Sequence, residues 1–295
     1  MSLIGDKKPV MLTPQGATLS AEEMVLYNDH QPFGFCLFGK HCENPDQLQT
    51  LCDDLRDAAG DDCVIAIDQE GGRVARMREP IWQNFPAAAD MDDVYQTYFD
   101  LGSMLADAGI TMNFAPCLDV VPMGGQCDAI GDRCFSSNPE MCGQKGIDAC
   151  RGLIDAGVMP VIKHMPGHGR AVEDSHFFLP HVNAPEVDLL NDLKSFQAVT
   201  AWDKDMMVGG MTAHVLYDAW DNEHPATLSN KIIKDIIRGA IGFNGLLFSD
   251  DLAMKALDKY GDVVTRVKLS LESGCDIALP CHTTLAESRK ILESL

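Results

Sequence analysis

Two carboxylates, Asp250 and Asp251, emerge together from the apolar run Gly245-Leu246-Leu247-Phe248-Ser249. A charge at the end of a buried strand is costly unless it is paired or put to use. Neighbouring strand residues point to opposite faces, so one of the two is expected in a cavity and the other at the cap of the next helix. Earlier in the chain, Asp174-Ser175-His176 sets a carboxylate and an imidazole two residues apart, on one side of an extended loop. A carboxylate beside an imidazole orients it and raises its basicity. A carboxylate nucleophile and a protonatable group on either side of a scissile bond are what glycoside hydrolysis requires, with the imidazole in place of the usual second carboxylic acid.

Other polar clusters also follow directly on apolar runs. Asp68-Gln69-Glu70-Gly71-Gly72-Arg73-Val74-Ala75-Arg76 opens on a carboxylate able to accept from vicinal hydroxyls, and its glycines would let the backbone approach a ligand. Lys163-His164-Met165-Pro166-Gly167-His168-Gly169 ends another run, and its Pro-Gly-His-Gly loop has a mobile composition. Arg133 lies in a long loop after 111–116 and could fix an amide or carboxylate with its planar fork, or brace the loop on Asp119 or Asp132. His214 is either a substrate contact or a packed histidine. His164, His168 and His176 could instead bind a metal, but their spacing matches no zinc signature.

These clusters need a scaffold. Short apolar runs recur at 9–12, 34–39, 63–68, 111–116, 158–163, 207–213, 246–250 and 275–280, often apolar on both faces, as buried parallel strands are. Helical patterns follow them: one from Ala21 capped by Ser20, then 45–59, 91–108, 139–156, 185–202, 229–241, 258–273 and 284–295. Several stop at glycine: Gly60, Gly109, Gly157 and Gly274. Strict alternation of eight strands and eight helices predicts an α/β fold, a (β/α)8 TIM-type barrel in which residues 1–295 form a single catalytic domain. An open doubly wound sheet is the structural rival. In a barrel, chemistry gathers where strands end, and the polar clusters fall there.

Composition narrows the partners. With 44 acidic against 23 basic residues the formal charge is −21, which disfavours nucleic acid and anionic membrane surfaces. Eleven cysteines without a Cys-x-x-Cys pair read as free buried thiols of a reducing compartment. The N-terminus lacks a signal-peptide pattern and no run is long enough to span a membrane, so a soluble, cytoplasmic protein is expected.

The segments 68–73, 163–169, 174–176 and 249–252, in this order, resemble glycoside hydrolase family 3, in particular its single-domain bacterial β-N-acetylglucosaminidases of cell-wall recycling. The resemblance runs from about Gly34 to Cys281. It implies Asp250 as nucleophile and His176, polarised by Asp174, as acid/base. Asp68, Arg76, Arg133, Lys163 and His164 would bind the N-acetylglucosamine unit. The implied substrates are N-acetylglucosaminyl-anhydro-N-acetylmuramyl peptides, with no metal or organic cofactor. The region around 11–16 matches loosely, and an end at Leu295 is earlier than in many relatives. The rival readings are another family exo-glycosidase such as a β-glucosidase, a metal-dependent barrel hydrolase, and a sugar-binding barrel without catalysis.

Overall fold

The computed structural model describes residues 4–173, 175 and 178–295. Eight parallel strands close into a barrel: β1 (Lys8–Leu12), β2 (Pro32–Leu37), β3 (Val64–Ile67), β4 (Met112–Asn113), β5 (Met159–Met165), β7 (Gly209–Thr212), β9 (Leu247–Asp251) and β10 (Ile277–Leu279). Two short strands outside it, β6 (His181–Val182) and β8 (Leu216–Tyr217), pair in parallel with each other. The closed order, β1-β10-β9-β7-β5-β4-β3-β2, excludes the open doubly wound sheet. All eight expected strands are present, each within a few residues of its apolar run.

Alternation sorts each strand's side chains. The inward set, including Met11, Cys36, Phe114, Val161, Met211, Phe248 and Leu279, fills the barrel. The outward set, including Val10, Leu12, Phe35, Ile65 and Ile162, packs beneath the helices. This two-sided burial is why the strands read as continuous apolar runs.

The helices are α1 (Ala21–His30), α2 (Pro45–Ala59), α3 (Val94–Asp107), α4 (Pro139–Asp155), α5 (Glu186–Asp192), α6 (Lys194–Trp202), α7 (Val263–Ser273) and α8 (Leu285–Ser294). Ser20 caps α1 in a reciprocal box with Glu23, and Gly274 ends α7 in a left-handed conformation. Three expected helices differ in detail. The 185–202 helix breaks at Leu193, next to the buried Asp192, which receives Arg170. The 229–241 segment is a π-helix, Ile232–Ile241, preceded by a 3-10 turn, Ala226–Leu228. In place of the first turn of the 258–273 helix lies the end of a 3-10 segment, Lys255–Tyr260; α7 starts afresh after its cap, Asp262. All eleven cysteines are free and buried, as expected. Among the described residues no helix is long and apolar enough to cross a membrane.

Candidate active site

The C-terminal ends of the strands surround a cavity of about 230 Å³. Asp68, Arg76, Arg133, Lys163, His164 and Asp250 all line it, so six of the eight residues singled out from sequence meet in one place. The other two, Asp174 and His176, lie outside the described residues.

One side of the mouth is a network of paired charges. Lys163, almost fully buried at the end of β5, donates to Asp68 at 2.6 Å and reaches Glu70 at 2.7 Å. Arg133 engages Glu70 with both arms of its fork, Nε to Oε2 at 2.9 Å and Nη2 to Oε1 at 2.8 Å. Arg76 donates to Asp68 at 3.3 Å and lies over the Phe38 ring. Burial would push these carboxyl groups up. For Glu70, Arg133 and Lys163 outweigh it and hold the group down at about 2. For Asp68, Lys163 and Arg76 do the same. Burial likewise works against the Lys163 ammonium, and Asp68 and Glu70 overcome it, raising its pKa.

Arg133 therefore braces on neither Asp119 nor Asp132; Asp132 is taken by Arg73 at 2.8 Å. The fork of Arg133 is spent on Glu70, a residue that the sequence shows but gives no role. The glycines of this segment also serve another purpose than ligand approach. A Cβ on Gly71 would stand 2.3 Å from the Pro86 carbonyl oxygen, and one on Gly72 would stand 2.7 Å from Ala87 Cβ. They admit the 85–87 segment, and both have positive φ.

Behind this network sits Asp119, fully buried. It accepts from His164 Nδ1 at 2.6 Å, from the His164 amide at 3.2 Å and from the His168 amide at 2.5 Å. Burial opposes its charge, but His164 and His168 keep its carboxyl well below the usual range. An ionised partner at Nδ1 fixes the proton there, so His164 presents Nε2 toward Arg133, 3.5 Å away. The loop after β5 is anchored at its start rather than loose. Tyr217 donates to the Gly167 carbonyl at 2.8 Å, and a Cβ on Gly169 would meet the Val120 carbonyl oxygen at 2.0 Å. His168 Nε2 contacts Ser175 Oγ at 3.3 Å, and burial, then His164, lower its pKa to about 4.

The other side of the mouth is sparser. Asp250 is half-buried at the end of β9; among the described residues its side chain accepts only from the Asp251 amide, at 2.8 Å. Burial would raise its pKa; His214, His164, the Asp251 amide and Lys163 bring it below the usual value. Burial also lowers the His214 pKa, which favours its neutral ring. His214 is a packed histidine, bound to Thr227 Oγ1 at 2.7 Å and to the Asp251 carbonyl at 2.9 Å. Both aspartates border the cavity, contrary to simple alternation. Asp251 caps no helix. Its oxygens accept from the Ala253 and Cys281 amides and from His282 Nδ1, which ties β9 to the end of β10.

Glu70 and His282 are site residues that sequence reasoning left without a role, and Asp119 entered only as a possible brace for Arg133. Asp119 carried a signal: it is a carboxylate inside the apolar stretch Cys117-Leu118-Asp119-Val120.

A closed parallel barrel with one carboxylate held ionised and little bonded, opposite a fixed set of hydrogen-bonding charges, defines a hydrolase-type barrel mouth. The sequence profile described as the glycosyl hydrolase family 3 N terminal domain matches residues 6–295. The chain belongs to this family. It is 35% identical over 285 residues to a beta-hexosaminidase of Pasteurella multocida, covering 92% of this chain and 79% of that one. It is 36% identical over 287 residues to a beta-hexosaminidase of Alkalilimnicola ehrlichii, covering 93% and 80%. Among solved structures, NagZ from Neisseria gonorrhoeae in complex with N-trifluoroacetyl-D-glucosamine superposes with a TM-score of 0.85 at 32% identity, over 98% of this chain and 84% of that one. A family 3 beta-N-acetylglucosaminidase from a Paenibacillus strain gives a TM-score of 0.88 at 34% identity; this chain spans 56% of it.

Proposed function

We propose that the chain is a retaining exo-β-N-acetylglucosaminidase that removes N-acetylglucosamine from N-acetylglucosaminyl-anhydro-N-acetylmuramyl peptides, acting as one catalytic barrel over residues 1–295 in the cytoplasm. The observation that carries this reading is Asp250: ionised, half-buried and facing Asp68 and Lys163 across the cavity. The names of its relatives support an acetamido sugar as substrate.

In the first step an Asp250 oxygen attacks the anomeric carbon and the glycosidic C–O bond breaks. His176, oriented by Asp174, gives its proton to the leaving oxygen. In the second step water attacks the same carbon and yields a proton to the now neutral His176. The ester bond to Asp250 breaks, and the sugar leaves with its configuration retained. Asp68, Arg76, Lys163 and His164 bind the sugar hydroxyls and acetamido group. Arg133 contributes through Glu70 and His164.

The test is hydrolysis of an aryl β-N-acetylglucosaminide at neutral pH, beside the matching glucoside and a chelator control. Release from the acetamido sugar alone, insensitive to chelator, is the expected result. Release from the glucoside instead would make the chain a β-glucosidase, and loss with chelator would make it a metal-dependent hydrolase. If the aryl substrate is cleaved, the muropeptide is tested by following free N-acetylglucosamine from it.

A further inference from the structure

Two thiols meet at the floor of the cavity. Cys36 lies near the end of β2 and Cys281 just beyond β10. Both belong to the inward-facing barrel core, both are buried, and both line the cavity. The Cys36 thiol acts directly on that of Cys281. The hydrogen bond of Cys36 among the described residues is a long one, 4.0 Å to the Leu37 carbonyl. β1 runs between the two strands that carry them. Val10 pairs with Ala278 and Leu12 with Phe35, so the register carried onward sets Cys36 and Cys281 level, on either side of Thr13. The Thr13 hydroxyl is buried without a hydrogen-bond partner among the described residues. Asp251 and Asp68 add negative potential at Cys281.

A disulfide does not suit this arrangement. It needs Cα atoms within about 6.8 Å. Strands on either side of a third lie roughly 9 Å apart, at about 4.8 Å per step. An ion that joins two sulfurs spans the gap that an S–S bond cannot. Thiolates favour soft metals, and a d10 monovalent cation is satisfied by two of them. We propose that Cys36 and Cys281 form a binding site for a soft monovalent cation of the copper(I) class, reached through the cavity. On binding, two S–metal bonds form and two thiol protons pass to solvent, with no change in oxidation state. The ion then occupies the cavity floor beside Asp68, where it blocks entry of a sugar ring. The cluster of Cys117, Asp119 and His164 offers another set of donors, but Asp119 is already committed to His164 and His168.

The probe is silver nitrate, added to the reduced, folded protein in chloride-free buffer. Two signals are read: the ultraviolet thiolate-to-silver absorption and hydrolysis of the aryl glycoside. The expected result is an absorption step complete at a single equivalent, with activity lost over the same range and restored by excess dithiol. Cys36→Ser and Cys281→Ser should each lose the step and keep their own silver-free activity on titration, whereas Cys117→Ser should behave as the unmodified protein. No step in the unmodified protein, a step that persists in both serine variants, or one lost in Cys117→Ser would each overturn the proposal. The absorption arm decides even if the aryl sugar is not a substrate, so this inference and the proposed function fail separately.

Discussion

The two sides of the barrel mouth are built on opposite principles. On the β3–β5 side nearly every charge is spoken for: Glu70 by Arg133 and Lys163, Asp68 by Lys163 and Arg76, Asp119 by His164 and the His168 amide. On the β9 side Asp250 accepts only its neighbour's amide among the described residues. The difference teaches what each side can do. A carboxylate saturated with donors is a fixed fitting: its lone pairs are engaged and its position is over-determined. A carboxylate that is ionised but little bonded keeps an oxygen for an incoming carbon. Lys163 links the two, because it neutralises the crowded side and also helps, after His214, His164 and the Asp251 amide, to lower the Asp250 pKa.

The contrast can be broken most severely at Asp250. Replacing it with alanine should lower kcat by about 10⁴-fold or more, while binding of N-acetylglucosamine survives in calorimetry. Ordinary turnover in that variant would return Asp250 to the status of a structural charge. Next in size is His176→Ala. It should slow substrates with alkoxide leaving groups by about 10²- to 10⁴-fold, and activated phenols far less. An equal loss on both leaving groups would remove His176 from the acid role.

On the crowded side the larger effect should be on stability. Glu70→Gln leaves Arg133 and Lys163 buried with less charge to face, and should cost about 3–5 kcal/mol in denaturant unfolding. A cost close to zero would mean that the network relaxes, and the fixed-fitting description would fail. Acid should act through the same groups. Glu70 is held at about 2, below its ordinary 4.5, so its contribution is complete above 4.5 and is lost as pH falls from there toward 2. His168 is held at about 4, below its ordinary 6.5, so stability also falls as pH drops from 6.5 toward 4. Thermal midpoints should therefore decline from pH 7 downward, and His168→Gln should make the portion between 6.5 and 4 shallower, the rest of the slope coming from His41 and His214, which are also held low. The smallest effect belongs to Arg73, whose pair with Asp132 is about half exposed; Arg73→Ala also frees the carbonyls of Asp128, Ala129 and Ile130 and should cost about 1–2 kcal/mol.

Much of this was legible in the sequence, for a physical reason. Strands buried on both faces leave uninterrupted apolar runs, so all eight could be located, and polar residues directly after such runs marked the cavity. What stayed hidden depends on contacts distant in sequence. Glu70 meets Arg133 across sixty-three positions, and nothing local announces the pair. Asp250 and Asp251 both reach the rim because Asp251 is pulled toward the end of β10 by Cys281 and His282. The π-helix Ile232–Ile241 was read as an ordinary helix, since its apolar residues fit either winding over so short a span. Residues 258–260 looked continuous with α7, but Gly261 and the Asp262 cap separate them.

The small ribbon of β6 and β8 has a consequence of its own. It joins the far end of the stretch after β5 to the stretch after β7, through His181 with Leu216 and Val182 with Tyr217. Tyr217 also holds the near end through Gly167. The stretch from Gly167 to Val182 is thus fastened at both ends to the same tyrosine. A short tether sets the effective concentration of whatever it carries, much as a linker does between two binding modules. On the proposed role of His176, lengthening this stretch between Gly169 and Pro180 should slow turnover without changing a side chain of the cavity.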